Sequence, residues 1–159
     1  MNNAGSEGSN RVIKTDAGVR HLGFATELIA GLLNNKPDNW EREAGHRLLA
    51  EHGAWPNNAA FRTYLTAWKG QDGAIAVGVL WGDLARDYRE GRITASGEDA
   101  LVLKAALSHV AYVEMGLWEI ENVEPRTMRV IMRAQATGAG YGEFVDDWCP
   151  LERQSAAGS

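Results

Sequence analysis

Cysteine is nearly absent from this chain: Cys149 stands alone, so no internal disulfide can form, which fits a reducing compartment. Long apolar runs are absent too. The longest, Ala74 to Trp81, covers eight residues, against about 20 for a membrane-spanning helix. The first ten residues, Met1 to Asn10, are polar and small with no apolar stretch, so a secretory signal is not expected. There is no Gly-rich phosphate loop, no G-x-S-x-G, no H-E-x-x-H and no C-x-x-C. Positive charge is scarce in the second half. Residues 71–159 hold eight Lys/Arg against fourteen Asp/Glu, whereas residues 1–70 hold eight against seven. That acidic half is a poor match for a phosphate backbone. Together these absences predict a cytoplasmic protein with no catalytic signature.

Tryptophan, by contrast, is plentiful. The chain carries six in 159 residues, and each indole brings about 150–250 Å² of surface and one N–H donor needing a partner. Trp40, Trp55, Trp68 and Trp81 fall near a 13-residue spacing, but the residues around each differ, so no repeat is present. Trp68, Trp81 and Trp118 fall on apolar helical faces and are expected in the core. Trp40 falls in a first helical turn, while Trp55 on a Pro-containing turn and Trp148 on an acidic tail are candidates for exposure.

The apolar periodicity is helical between the tails, and it predicts an all-α single domain of about six helices. A flexible leader covers 1–10, the helical domain 11–137, and a Gly-hinged aromatic and acidic segment 138–159. The first helix starts from Asp16 and ends at Asn34. The second starts from Asp38, ends at His52 and is stopped by Gly53. A third runs over 57–69 with Phe61, Leu65 and Trp68 at i, i+4, i+7. A fourth covers 74–90; its Ala74, Gly78 and Gly82 form a small-residue ridge that suits close backbone packing, making it the expected centre of the bundle. A fifth covers 98–122, and a sixth starts with Pro125 at its first turn and ends near Thr137.

Several groups of residues could carry chemistry. The second and third helices could form a helix-turn-helix, offering Asn57, Asn58, Arg62, Thr66 and Lys69 to DNA; the plainer reading is an ordinary helical hairpin. Glu43 and His46, at i, i+3, share a face as metal ligands do in di-iron bundles, but such sites need two pairs and this chain has one, so no metal or other cofactor is assigned. Glu114 lies in the apolar line Leu103, Leu107, Val110, Leu117 of the fifth helix. With His109 nearby it could serve a pocket, although five residues put the two side chains roughly 140° apart. Arg126, Arg129 and Arg133 share a face of the sixth helix and are expected to balance the acids of the fifth. Finally, Phe144, Trp148 and Leu151 stand at the anchor spacing of a docking helix.

The favoured expectation is a non-enzymatic protein-binding or regulatory adaptor. Trp55, Phe144, Trp148 and Leu151 would bind another protein or a second copy of the chain. A DNA-binding regulator using helix 57–69 is the first alternative, with nucleic acid the less favoured partner. A small enzyme with Glu114 and His109 in a pocket is the second. A membrane partner is not expected.

Overall fold

The computed structural model describes residues 25–151; the leader at 1–10 and the helix start at Asp16 lie outside them. The elements run in order as α1 (Ala25–Asn34), α2 (Trp40–His52), α3 (Ala54–Asn57), a 3-10 turn (Phe61–Tyr64), β1 (Leu65–Lys69), β2 (Ile75–Val79), α4 (Trp81–Arg89), α5 (Gly97–Ala111), a 3-10 turn (Leu117–Ile120) and α6 (Pro125–Ala136). A π turn (Thr137–Tyr141), a 3-10 turn (Gly142–Phe144) and α7 (Val145–Trp148) complete them. Helices dominate, but the fold is not all-α.

The correction lies at 57–90. The expected third helix is replaced by a short helix, a 3-10 turn and a strand, and the apolar half of the expected fourth helix is the second strand of an antiparallel hairpin. Leu65 pairs with Val79, Ala67 with Val77 and Lys69 with Ile75. Leu65 and Ala67 are buried while Thr66 and Trp68 are half-buried, a period of two rather than 3.6. β-branched Ile75, Val77 and Val79 suit the partner strand. The loop closes through Gly70 N–H to Ala74 O (2.8 Å) and Ala74 N–H to the Asp72 carboxylate (3.0 Å), with Gly73 left-handed at φ 82. Gly78 does allow a close approach, but of a side chain: a Cβ there would stand 2.9 Å from the Trp68 ring.

The centre of the fold is α2, not the segment 74–90. α1, α5, α6 and the π turn all pack on α2. Its Ala44, Gly45, Leu48, Leu49 and Ala50 are buried, and the small residues let neighbours come close: a Cβ on Gly45 would meet the Trp81 ring at 2.8 Å. Its ends obey capping chemistry. The Asn39 side chain accepts the Arg42 N–H at 2.8 Å, and left-handed Gly53 donates its N–H to Leu49 O at 3.1 Å. α1 covers the hairpin, with Gly31 against Val77. The Asn34 and Asn35 amides donate to Ile75 O and Val77 O, each at 3.1 Å, occupying carbonyls along β2.

α5 ends eleven residues before the expected Asn122. Tyr112 turns left-handed (φ 53, ψ 36) and its N–H closes on Leu107 O. The chain then leaves the helix axis, and Glu119 accepts from both Lys104 Nζ (2.6 Å) and Gly116 N–H (2.8 Å). α6 starts at Pro125 as the sequence predicts.

Candidate docking face

The geometry of the C-terminal segment is set by one arginine. Arg133 lies among Val130, Ile131 and Ala134 on the inner face of α6 and is only 3% exposed. A guanidinium so placed must spend its donors on fixed acceptors. Its Nε and Nη2 hold Glu51 of α2, each at 2.9 Å. Nη2 also donates to Asp146 (2.5 Å), and Nη1 donates to the carbonyls of Val145 (3.1 Å) and Cys149. The same pairing holds the Asp146 carboxyl below the usual range. The glycines before it do not form an open linker: Gly140 (φ 90) lets the chain fold tightly under Trp40.

With α7 held this way, Val145 is buried and its neighbours are turned outward. Phe144 is 55% exposed and Trp148 65%. They join Met132, Ala136, Ala139 and Tyr141 around a groove of about 570 Å³ whose lining holds no charged side chain. Exposed Glu143, Asp146 and Asp147 flank it in sequence, with no Lys or Arg between residues 138 and 151.

Phe144 and Trp148 thus stand together on one exposed face. The other two expected anchors do not join them. Trp55 is 3% exposed, tilted against Phe61, with its indole N–H donating to Asp99 O at 2.9 Å; the Pro turn that carries it is a buried helical turn. Leu151 packs against the core. Met132 and Tyr141 were missed: Met132 lies off the buried stripe of Thr127, Val130, Ile131 and Ala134, an outward position that the helical period marks, and Tyr141 lies in a glycine-rich turn that has no such period.

The residues read as a DNA-recognition helix are spread over α3, turns and a strand. Asn57 donates its amide to Gly53 O (3.2 Å), Asn58 caps Phe61 N–H (3.0 Å), and the Arg62 Nε is held by Pro56 O (2.8 Å). Thr66 and Lys69 belong to β1. No recognition helix exists at 57–69.

Glu114 is exposed and lies beyond the end of α5, so it is not on an apolar stripe. It borders a groove with Lys104, Met115 and Trp118 that His109 does not reach. His109 is half-buried, its ring against Gly138; burial holds its pKa below the ordinary value, with Glu41 acting weakly the other way. The pair does not share a pocket. Glu43 is half-buried and His46 buried, and among the described residues no group of three His, Cys, Asp or Glu could hold a metal ion. Two members of the arginine face bind α2 rather than the acids of the fifth helix: Arg133 as above, and Arg126 through Glu51 O at 3.0 Å. Trp118, expected in the core, is exposed with Tyr112 and Leu117 past the α5 cap.

No protein-family model, curated protein or solved structure matches this chain.

Proposed function

We propose that this chain is a non-enzymatic binding protein that docks a basic amphipathic segment of another protein on the Met132, Tyr141, Phe144 and Trp148 face. One observation carries the reading: two rings, Phe144 just before a four-residue helix and Trp148 at its end, stand more than half exposed on a turn that a buried guanidinium holds in place. Exposed apolar surface of this kind is unfavourable in water unless a partner covers it. Tryptophan and tyrosine are the side chains that most often dominate binding energy. A backbone turn already held in place also loses little further freedom on binding.

The acids around the groove choose between partners. A second copy would bring its own Glu143, Asp146 and Asp147 against this set, and like charges at close quarters oppose that pairing. A segment with apolar anchors and a lysine-rich rim meets no such opposition. The absence of a recognition helix removes the geometric basis of the DNA reading, and the separation of Glu114 from His109 does the same for the enzyme reading.

A synthetic helical peptide of leucines and lysines, titrated by calorimetry, tests the proposal. Binding should weaken with added salt and fall at least about tenfold in Trp148→Ala, the scale of one hot-spot side chain. A peptide that does not bind, or binds Trp148→Ala equally well, overturns it. So does sedimentation showing a stable dimer that Trp148→Ala dissociates.

A further inference from the structure

A second concave surface lies away from the docking face, between the start of α2, the hairpin and the first turn of α4. It is a cleft of about 390 Å³, and His46, Trp68, Trp81, Arg42, Thr66 and Gly82 are among the residues that line it. His46 is 4% exposed and stacks on Trp81, with ring centroids 5.7 Å apart and planes 23° apart. Neither imidazole nitrogen has a hydrogen-bond partner, and neither does the buried indole N–H of Trp81. A buried polar group left without a partner costs about 1–3 kcal/mol. Three in adjoining rings is a concentration that hairpin packing alone does not explain.

The surroundings are rich in donors. α4 begins without a side-chain cap: Leu80 takes the first helical bond from Leu84 N–H at 3.0 Å, and the amides of Trp81, Gly82 and Asp83 precede that bond. Gly82 has open space where a Cβ would be. The Arg42 guanidinium is on the rim and makes no ion pair among the described residues. Its charge acts with burial to keep the His46 imidazole neutral. Asp38 also lines the cleft, and Asp83, engaged by Arg86 at 2.9 Å, stands in the first turn of α4. Trp68, Val79 and Pro37 add apolar wall.

We propose that this cleft binds a small organic carboxylate. The carboxylate would be held by Arg42 and the uncapped start of α4, with the Trp81 indole N–H and the single N–H of the neutral His46 ring donating to it and the apolar body resting on Trp68. A helix N-terminus attracts anions through its free N–H groups and its dipole. The two orphaned rings give the bound state hydrogen bonds that the empty state lacks.

Benzoate, acetate and inorganic phosphate, each titrated into the intact chain, test this by NMR of the Trp81 indole N–H and the His46 ring nitrogens. Benzoate should move both sets of resonances and saturate below about 10 mM. Arg42→Ala, an exposed change that leaves the core alone, should weaken binding at least about tenfold, the lower end for a hydrogen bond to a charged group. Trp148→Ala should leave it unchanged, which separates this site from the docking face. Acetate should bind more weakly than benzoate. The proposal fails if benzoate leaves those resonances unmoved, if Arg42→Ala binds equally well, or if phosphate binds as tightly as benzoate.

Discussion

Arg133 and Glu51 meet as a bidentate pair, Nε and Nη2 each 2.9 Å from a carboxylate oxygen, and so tie α6 to the end of α2 across 82 residues of sequence. The same guanidinium holds α7, so one side chain joins the centre of the fold to the face proposed to bind.

Removing one partner of a buried, hydrogen-bonded ion pair leaves the other charge uncompensated, at about 3–5 kcal/mol. Arg133→Ala should therefore destabilise by that amount and free the Val145–Trp148 turn. Arg133→Lys should recover little, because an ammonium cannot span two oxygens and two carbonyls. The pair Arg133→Met with Glu51→Leu should recover part of the loss, since neither charge of the pair remains while Arg47, 3.8 Å from Glu51, loses its carboxylate. Denaturant midpoints of the four chains check this. Arg133→Ala unfolding within about 1 kcal/mol of the parent would mean the pair contributes little.

Much of this fold can be read in the sequence, and the misses have identifiable causes. Caps were legible: Gly53 stops α2, Pro125 opens α6, and the α2 start is one residue from the expected position. The hairpin was misread because Phe61, Leu65 and Trp68 satisfy a helical spacing while Leu65 to Trp68 equally satisfy alternation. The Gly70–Gly73 turn and the β-branched 75–79 run were the signals that favoured strands. The end of α5 was not legible, since Tyr112 takes a left-handed turn and is neither glycine nor asparagine, the residues that signal one. Of the docking face, the Phe144 and Trp148 spacing was visible. The hold of Arg133 was not, because its partners lie on other elements.

Tyr112 gives a direct test of that turn. It sits at φ 53 while 89% exposed, so its side chain gains almost no packing in return for a conformation disfavoured by about 1–2 kcal/mol for an L-residue. Tyr112→Gly should stabilise the fold by about 0.5–1 kcal/mol, the offset being glycine's greater freedom in the unfolded chain. A raised thermal midpoint is the expected readout. A lowered one would show that the exposed ring supports the fold in some other way.

Acid should weaken the fold through His46. Burial, helped by Arg42, lowers its pKa from 6.5 to about 4. The unfolded chain therefore takes up a proton as pH falls below 6.5, while the folded chain refuses it until about 4. Stability contributed by the neutral ring is present above 6.5 and declines through that window, by roughly 3 kcal/mol at about 1.4 kcal/mol per unit. His52 and His109, also held below the ordinary range by burial, act in the same direction. Asp146, held low by Arg133, loses its share in more acid solution. His46→Phe keeps the stacking shape and should flatten the pH profile of the denaturant midpoint above pH 4. An unchanged slope in that variant would remove His46 as its source.

Two glycines should respond to alanine with opposite signs, which tests whether close packing of α1 on β2 holds the hairpin. A Cβ on Gly31 would collide with the Val77 side chain and stand 3.3 Å from its backbone nitrogen, so the hairpin would have to shift. Overpacking of this kind costs about 1–3 kcal/mol. Gly82, in the first turn of α4, has nothing within 4 Å of the same position. There alanine should gain up to about 1 kcal/mol of helix propensity. Gly31→Ala should therefore lower the thermal midpoint and speed amide exchange at Asn34, Asn35 and the β2 residues they cover, while Gly82→Ala raises the midpoint or leaves it in place. Equal responses from the two would mean that α1 adjusts freely over the hairpin and that Gly31 is not needed for its seat.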